Sequence, residues 1–196
     1  MLIDLKSSDL DTKIYRIIPA EYLYDLFESQ TNYLTKPSKW EDPFEDLLGR
    51  VSATSAVYAQ CWTLKTHSDA MWRIYSNDKN SVRIRSTIRK LQSSMSIRFP
   101  ERWFVGRVQY LPTKDLQDLV VNRLHRRRKK SMVRIAETFL IKRPAFKHEK
   151  EVRLVVFPKE VPSITPGLRY SIEPNSFIDQ ILLDPRYDRP RLLNSK

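Results

Sequence analysis

The chain has 196 residues and a formal charge of +12, from 35 Lys and Arg against 23 Asp and Glu, with a pI near 9.9. That length predicts a single domain over residues 1–196, and 41% hydrophobic residues suffice for a full core. Three glycines argue against a Gly-rich phosphate loop, and the apolar runs fall far short of the roughly 20 residues that cross a bilayer.

The N-terminus, Met1 to Lys6, carries Asp4 where a signal peptide would keep its apolar stretch. The lone Cys61 has no internal disulfide partner, so the cytoplasm is the expected compartment. Thr12–Ile18 alternates as a strand, with Tyr15 and Ile17 on one face and Ile14, Arg16 and Ile18 on the other. Pro19 ends it, and Leu23, Leu26 and Phe27 then repeat at helical spacing. Tyr33-Leu34-Thr35 is a short extended piece, followed by the irregular segment 36–45. Tyr58–Thr63 reads as a strand, and Ser68 as the cap of a short helix over Asp69–Ser76. Ser81–Arg85 reads as a strand leading into a helix to about Met95, and Trp103–Tyr110 as a further strand. Residues 114–142 read as mainly helical. The final pieces are a strand over Glu149–Phe157, a Pro-rich connection, a short strand at Phe177–Leu183 and a loosely held tail from about Tyr187. No βαβ period recurs, so the predicted class is α+β with a mixed, largely antiparallel sheet and flanking helices.

Four stretches carry candidate chemistry. In Glu149–Phe157, alternation sends Val152, Leu154 and Val156 toward a core and aligns Glu149, Glu151 and Arg153 on the other face. Two carboxylates and a guanidinium on one line suit a polar cleft, whereas an exposed pair of this kind is worth only roughly 0–1 kcal/mol. Segment 40–45 combines Trp40 and Phe44 with Glu41, Asp42 and Glu45, which suits either a surface turn anchored by Trp40 and Phe44 or a loop that places an aromatic platform and an acid at a pocket edge. On the 69–76 helix, Asp69, Trp72, Arg73 and Ser76 share a face, so Trp72 flanked by Arg73 suits a flat heterocycle and a phosphate, while Asp69 and Arg73 can also simply pair. The run Arg126, Arg127, Arg128, Lys129 and Lys130 points to nucleic acid or another polyanion, or else to a solvated face.

His67, His125 and His148 lack paired metal spacing, so no metal site is expected. Glu149 and Glu151 with Asp42 or Glu45 are the acids that a Mg²⁺ nuclease would require, although no spacing rule supports that set. Neither Cys61 nor any serine carries a local nucleophile signature.

Tyr15, Trp40–Glu45, Met71–Tyr75 and Glu149–Leu154 together resemble a widespread bacterial family of unassigned function. Its pattern is Trp-x-Asp-Pro-Phe-Glu, Met-Trp-x-x-Tyr, then Glu-x-Glu-x-Arg-Leu; Arg73-Ile74 replaces its usual Ala-His. The order of a Tyr-Arg strand, a helix, a Tyr-Leu-Thr strand and a late Glu-Val-x-Leu-Val strand also resembles the ADP-ribosyltransferase fold. That resemblance implies NAD as co-substrate. Arg16, with Tyr15, would seat it. Trp72 or Tyr75 would supply the aromatic contact, and Glu151, beside Glu149, the catalytic carboxylate. Ser52-Ala53-Thr54 loosely matches the Ser-x-Ser/Thr element. It further implies a toxin or phage-defence effector with a nucleic-acid or protein acceptor, and a possible antitoxin partner. The alternatives are a non-enzymatic nucleic-acid-binding or assembly subunit of a defence complex, and a divergent nuclease.

Overall fold

Lys13–Pro19 forms a strand because Ile14, Tyr15, Ile17 and Ile18 are β-branched or aromatic, and Pro19 stops it at the start of a helix. The computed structural model describes residues 1–40, 42, 45, 57–116, 118, 131–160 and 167–187. In chain order the strands are β1 (Leu2–Ile3), β2 (Lys13–Pro19), β3 (Thr31–Thr35), β4 (Tyr58–Thr63), β5 (Ser81–Thr87) and β6 (Trp103–Arg107). They continue as β7 (Gln109–Tyr110), β8 (Ile141–Lys142), β9 (Glu151–Val156), β10 (Gly167–Ser171) and β11 (Gln180–Leu183). The helices are α1 (Ala20–Ser29), α2 (Asp69–Tyr75), α3 (Ile88–Arg98), α4 (Met132–Thr138) and α5 (Pro174–Phe177).

The main sheet has nine strands along the path β1-β6-β9-β4-β2-β5-β11, with β3 joined to β4 and β10. Only β1–β6 is parallel in it; the other pairings are antiparallel, and β7–β8 is a separate parallel pair. The protein is therefore a mixed α+β fold with a largely antiparallel sheet and flanking helices.

One departure from a simple sheet positions the site. Strand β9 pairs with the whole length of β4, from Tyr58 to Thr63. On the opposite edge of β4, β2 pairs only at Thr63, through Tyr15, and β3 only at Ala59, through Thr35. The sheet forks there, with β2 and β3 as the two prongs.

Alternation assigns the two sheet faces. Tyr58, Trp62, Val105, Val152, Leu154 and Val156 join Ile14, Ile18 and Ile84 in the main core, which α1 and α3 cover. On the other face Ala59, Phe104 and Val155 pack with Phe139 and Leu140 in a smaller apolar cluster. Further along that second face come the polar Arg153, Glu151 and Thr63, with Tyr15 and Ile17 of β2 beyond them.

Several elements differ from expectation. The Glu149–Phe157 strand starts at Glu151, because Pro144 opens a 3-10 helix through Glu149 and Lys150 takes a left-handed turn at φ 45°. Within 114–142, Ile141–Lys142 is a strand after α4. The Phe177–Leu183 strand is β11 alone, Phe177 ending the short helix α5. Strand β10 emerges inside the Pro-rich connection. Most of the tail expected after Tyr187 lies outside the described residues.

Candidate functional site

A cleft of about 560 Å³ opens at the fork. It is lined by Tyr15, Arg16 and Ile17 of β2, Thr35 of β3, Gln60 to Thr63 of β4, and Glu151 and Arg153 of β9. Trp40, Asp42, Glu45, Ile74, Tyr75, Lys142, Phe146, His148 and Glu149 close it. The sequence-predicted Tyr15, Arg16, Tyr75, Glu149 and Glu151 thus meet in one place.

Glu149, Glu151 and Arg153 are buried rather than solvated, Arg153 being 0% exposed. Lys142 Nζ donates to Glu149 Oε2 at 2.6 Å and Glu151 Oε1 at 2.8 Å, and lies 3.3 Å from Glu45 Oε1. Arg153 donates through Nε to Glu151 Oε2 at 2.5 Å, through Nη1 to the Phe139 carbonyl at 2.9 Å, and through Nη2 to Glu45 Oε2. Its guanidinium carbon stands 4.4 Å from the centre of the Trp40 ring. Tyr75 donates its hydroxyl proton to Glu149 Oε1 at 3.0 Å. Gly106 pairs with Arg153 across β6–β9, and a Cβ there would collide with Leu140.

The cluster thus joins three carboxylates to two cations, one negative charge in excess when all are ionised. That imbalance orders the titrations. Burial and the adjacent Glu151 push Glu149 up to about 7. Burial alone would raise Glu151 as well, but Arg153 and Lys142 hold it far below the usual carboxylate range. Burial also raises Glu45. Burial would lower Lys142, yet Glu151 and Glu149 raise it. Cys61, half-buried on the floor of the cleft, is pushed up to about 12 by burial and by Glu151, which suits a neutral thiol.

Arg16 stands apart from this cluster. Among the described residues it has no hydrogen-bond or ion-pair partner, and burial lowers its pKa. A polar chain backs the fork: Trp62 Nε1 donates to Gln60 Oε1, Gln60 Nε2 to Asn32 Oδ1, and Asn32 Nδ2 to the Tyr170 hydroxyl, each at 2.8 Å.

Helix α2 divides differently from the sequence pattern. Ser68 caps it by accepting from Met71 N, as expected. Met71 and Trp72 are buried, while Ile74 and Tyr75 are 46% and 43% exposed. Trp72 is not among the cleft-lining residues; its carbonyl accepts from Arg186 Nη2 at 2.8 Å. Helix α2 packs on β2, and Met71, Ile74 and Tyr75 line the cleft while the buried Trp72 does not. Asp69 and Arg73 pair at 2.5 Å, exposed.

Lys142, which ties the three carboxylates together, was invisible to the motif pattern; it sat inside an expected helix. Its only sequence signal is the pair of apolar residues, Leu140 and Ile141, directly before it. Glu45 belonged to the Trp40–Glu45 segment; of that segment the structure describes Trp40, Asp42 and Glu45, and all three line the cleft. The run 126–130 and Ser52-Ala53-Thr54 lie outside the described residues. Among the described residues, no group of three or more His, Cys, Asp or Glu has an arrangement that would hold a metal ion. No helix among them is long and apolar enough to cross a membrane.

No curated protein and no solved structure matches the chain. A family model described as "Protein of unknown function (DUF2971)" matches residues 71–154, less than half of the chain. The matched stretch runs from Met71 of the Met-Trp-x-x-Tyr segment to Leu154 of the Glu-x-Glu-x-Arg-Leu segment, so it takes in Tyr75, Lys142, Glu149, Glu151 and Arg153 of the cleft. Over that stretch the chain is similar to a bacterial domain family of unassigned function.

Proposed function

We propose that the cleft binds NAD and transfers its ADP-ribose part, with an acceptor that includes nucleic acid. The observation that carries this is the pairing, in one cleft, of the Arg16 guanidinium, unpartnered among the described residues, with a buried cluster that carries one excess negative charge once Glu149 ionises. NAD has the complementary polarity: an anionic diphosphate and a cationic nicotinamide ring. Arg16 suits the diphosphate. Tyr75, half-exposed at the cleft, suits the flat ring. The volume of about 560 Å³ lies within the roughly 300–1,000 Å³ of small-molecule sites.

In the proposed reaction the bond from the anomeric carbon to the nicotinamide nitrogen breaks. The electron pair leaves with nicotinamide, which becomes neutral, and positive charge passes to the ribose. A nucleophilic oxygen or nitrogen of the acceptor bonds to that carbon and gives up its proton. Glu149 is the suited base, since its pKa of about 7 matches neutral operation. Glu151, with its charge taken up by Lys142 and Arg153, is a positioning residue that fixes both cations.

Nicotinamide release from NAD, followed chromatographically, tests the reading. Glu149→Gln should lower turnover about 10²-fold and leave NAD affinity within a few-fold. Wild-type protein that neither binds nor cleaves NAD with any acceptor would overturn it in favour of a binding subunit. Phosphodiester cleavage that requires Mg²⁺ would favour the nuclease.

The acceptor part has its own expected result. Replacing Arg126, Arg127, Arg128, Lys129 and Lys130 by Gln should flatten the salt dependence of RNA and DNA binding, because each phosphate neutralised contributes about 0.7–0.9 to the log–log slope. Basal NAD turnover should survive. An unchanged slope in a salt titration would remove nucleic acid from the proposal.

A further inference from the structure

The register aligns one rung across four sheet pairings. Glu151 pairs with Thr63, Thr63 with Tyr15, Tyr15 with Arg85, and Arg85 with Gln180. Paired residues lie on the same face of a sheet, so Arg85 shares the sheet face that carries Glu151, outside the residues that line the cleft. Arg83, two residues away on β5, lies on that face too, and so does Lys13, two residues from Tyr15 on β2. Three strand spacings of about 4.8 Å place Arg85 ~14 Å from Glu151 along the rung.

These cations are not used by the fold in the usual way. Arg83 is only 6% exposed, yet its Nε is buried without a hydrogen-bond partner, and so is the Nε of Arg85. Arg83 donates through Nη1 to the Thr66 carbonyl, and its guanidinium carbon stands 4.9 Å from the centre of the Tyr15 ring. Arg85 makes no side-chain hydrogen bond or ion pair among the described residues, and no described carboxylate pairs with Arg83. Two guanidiniums on one face of one strand repel, and burial together with the neighbouring Arg85 lowers the pKa of Arg83. Buried polar groups in folded proteins nearly always have partners, so a pair left this way needs an explanation. The end of the rung is open, since Gln180 lies on the edge strand β11, which is exposed throughout.

We propose that Arg83 and Arg85 form a phosphate-binding subsite on β5, on the same sheet face as Glu151 but beyond the residues that line the cleft. Stacking on Tyr15 and the bond to Thr66 hold Arg83 in place, so little side-chain freedom is lost when a phosphate arrives. A planar guanidinium offers paired donors that match phosphate oxygens. Lys13, exposed at the next pair on the same face, adds charge and has no ion-pair partner among the described residues. The phosphate can belong to the adenosine end of a dinucleotide or to an oligonucleotide backbone; the chemistry recognised is the same. The subsite does not depend on the glycosidic reaction proposed above, because a phosphate binds here whether or not any bond is cleaved.

Calorimetric titration with pyrophosphate, ADP-ribose and a single-stranded ten-nucleotide RNA separates these cases. The wild-type protein should bind at least one of them, and Arg85→Gln should weaken that binding at least tenfold, with Arg85→Lys intermediate. A loss confined to ADP-ribose and pyrophosphate assigns the phosphate to a dinucleotide, and a loss confined to RNA assigns it to a nucleic-acid backbone. Because Arg85 is half-buried, the exposed Lys13→Gln serves as a second variant and should weaken the same ligand severalfold with no change in melting temperature. Equal affinities of wild type and both variants for all three probes, or no binding of any probe by the wild type, would overturn the subsite. Binding lost in Arg85→Gln while wild type cleaves no NAD would leave the subsite standing and remove only the enzymatic reading.

Discussion

Arg153→Met should destabilise the protein by about 3–5 kcal/mol, the range for breaking a buried ion pair from one side. Arg153 is fully buried and touches Glu151, Glu45, the Phe139 carbonyl and the Trp40 ring. Methionine fills part of the volume but satisfies none of these acceptors. Among the described residues, Lys142 would then be the one cation left to the three carboxylates, with the Tyr75 hydroxyl on Glu149 alone. The cost is the desolvation of charges left unpaired, which exceeds what the intact cluster contributes as a whole. For a chain of this size each kcal/mol moves the melting temperature by about 2–4 °C, so a loss near 10 °C is expected. Denaturant unfolding monitored by tryptophan fluorescence measures it. A shift under 1 kcal/mol would mean that the cluster relaxes into water when opened.

Stability should fall as pH rises from about 5 to 7. The folded protein holds the Glu149 proton up to about pH 7, whereas the unfolded chain releases it near 4.5. Between those values the folded state binds more protons, so the slope of stability with pH is negative. The contribution is fully present below 4.5 and lost above 7. The shift corresponds to about 3 kcal/mol, and Glu45, also raised, acts in the same direction. Below 4.5 the sign reverses: Glu151 and Asp184 are held down in the folded state, so their contributions are lost as acid protonates them. Stability should therefore peak near pH 5, below the neutral range, despite a pI near 9.9. Glu149→Gln should flatten the 5–7 interval. Melting temperatures of both proteins in a constant-ionic-strength buffer series test this, and a wild-type profile rising from 5 to 7 would show that Glu149 is ionised throughout.

How far the sequence carried can be traced residue by residue. Strand β9 was legible because Val152, Leu154 and Val156 alternate with Glu151, Arg153 and Val155; in the structure the first set lies in the main core, while Glu151 and Arg153 line the cleft and Val155 joins the smaller apolar cluster. The Ser68 cap was legible from its position before Asp69. Lys142 was not legible, because a two-residue strand such as β8 is too short to show a period and the surrounding apolar residues suggested a helix. Strand β10 was hidden by flanking prolines, although Leu168 and Tyr170 buried between exposed Arg169 and Ser171 is a readable alternation. The rung from Glu151 to Arg85 was beyond reach, since register joins residues 151, 63, 15 and 85, which no local pattern connects. The partners of the polar line came from outside the strand, Glu45 from far away in sequence and Lys142 from the short strand β8.

The fork in the sheet also leaves main-chain atoms in play. Between the rungs at Ala59 and Thr63, residues Gln60, Cys61 and Trp62 have a sheet neighbour on the β9 side alone. Backbone amides and carbonyls alternate between the two edges of a strand, so some in this interval turn toward the opening. Such groups offer hydrogen bonds at fixed positions whatever side chains stand beside them. Recognition built on them is silent in a survey of single substitutions, because no codon change removes a peptide N–H except one to proline. A cleft of this kind can therefore hold its ligand firmly while each of its side chains, tested alone, seems dispensable.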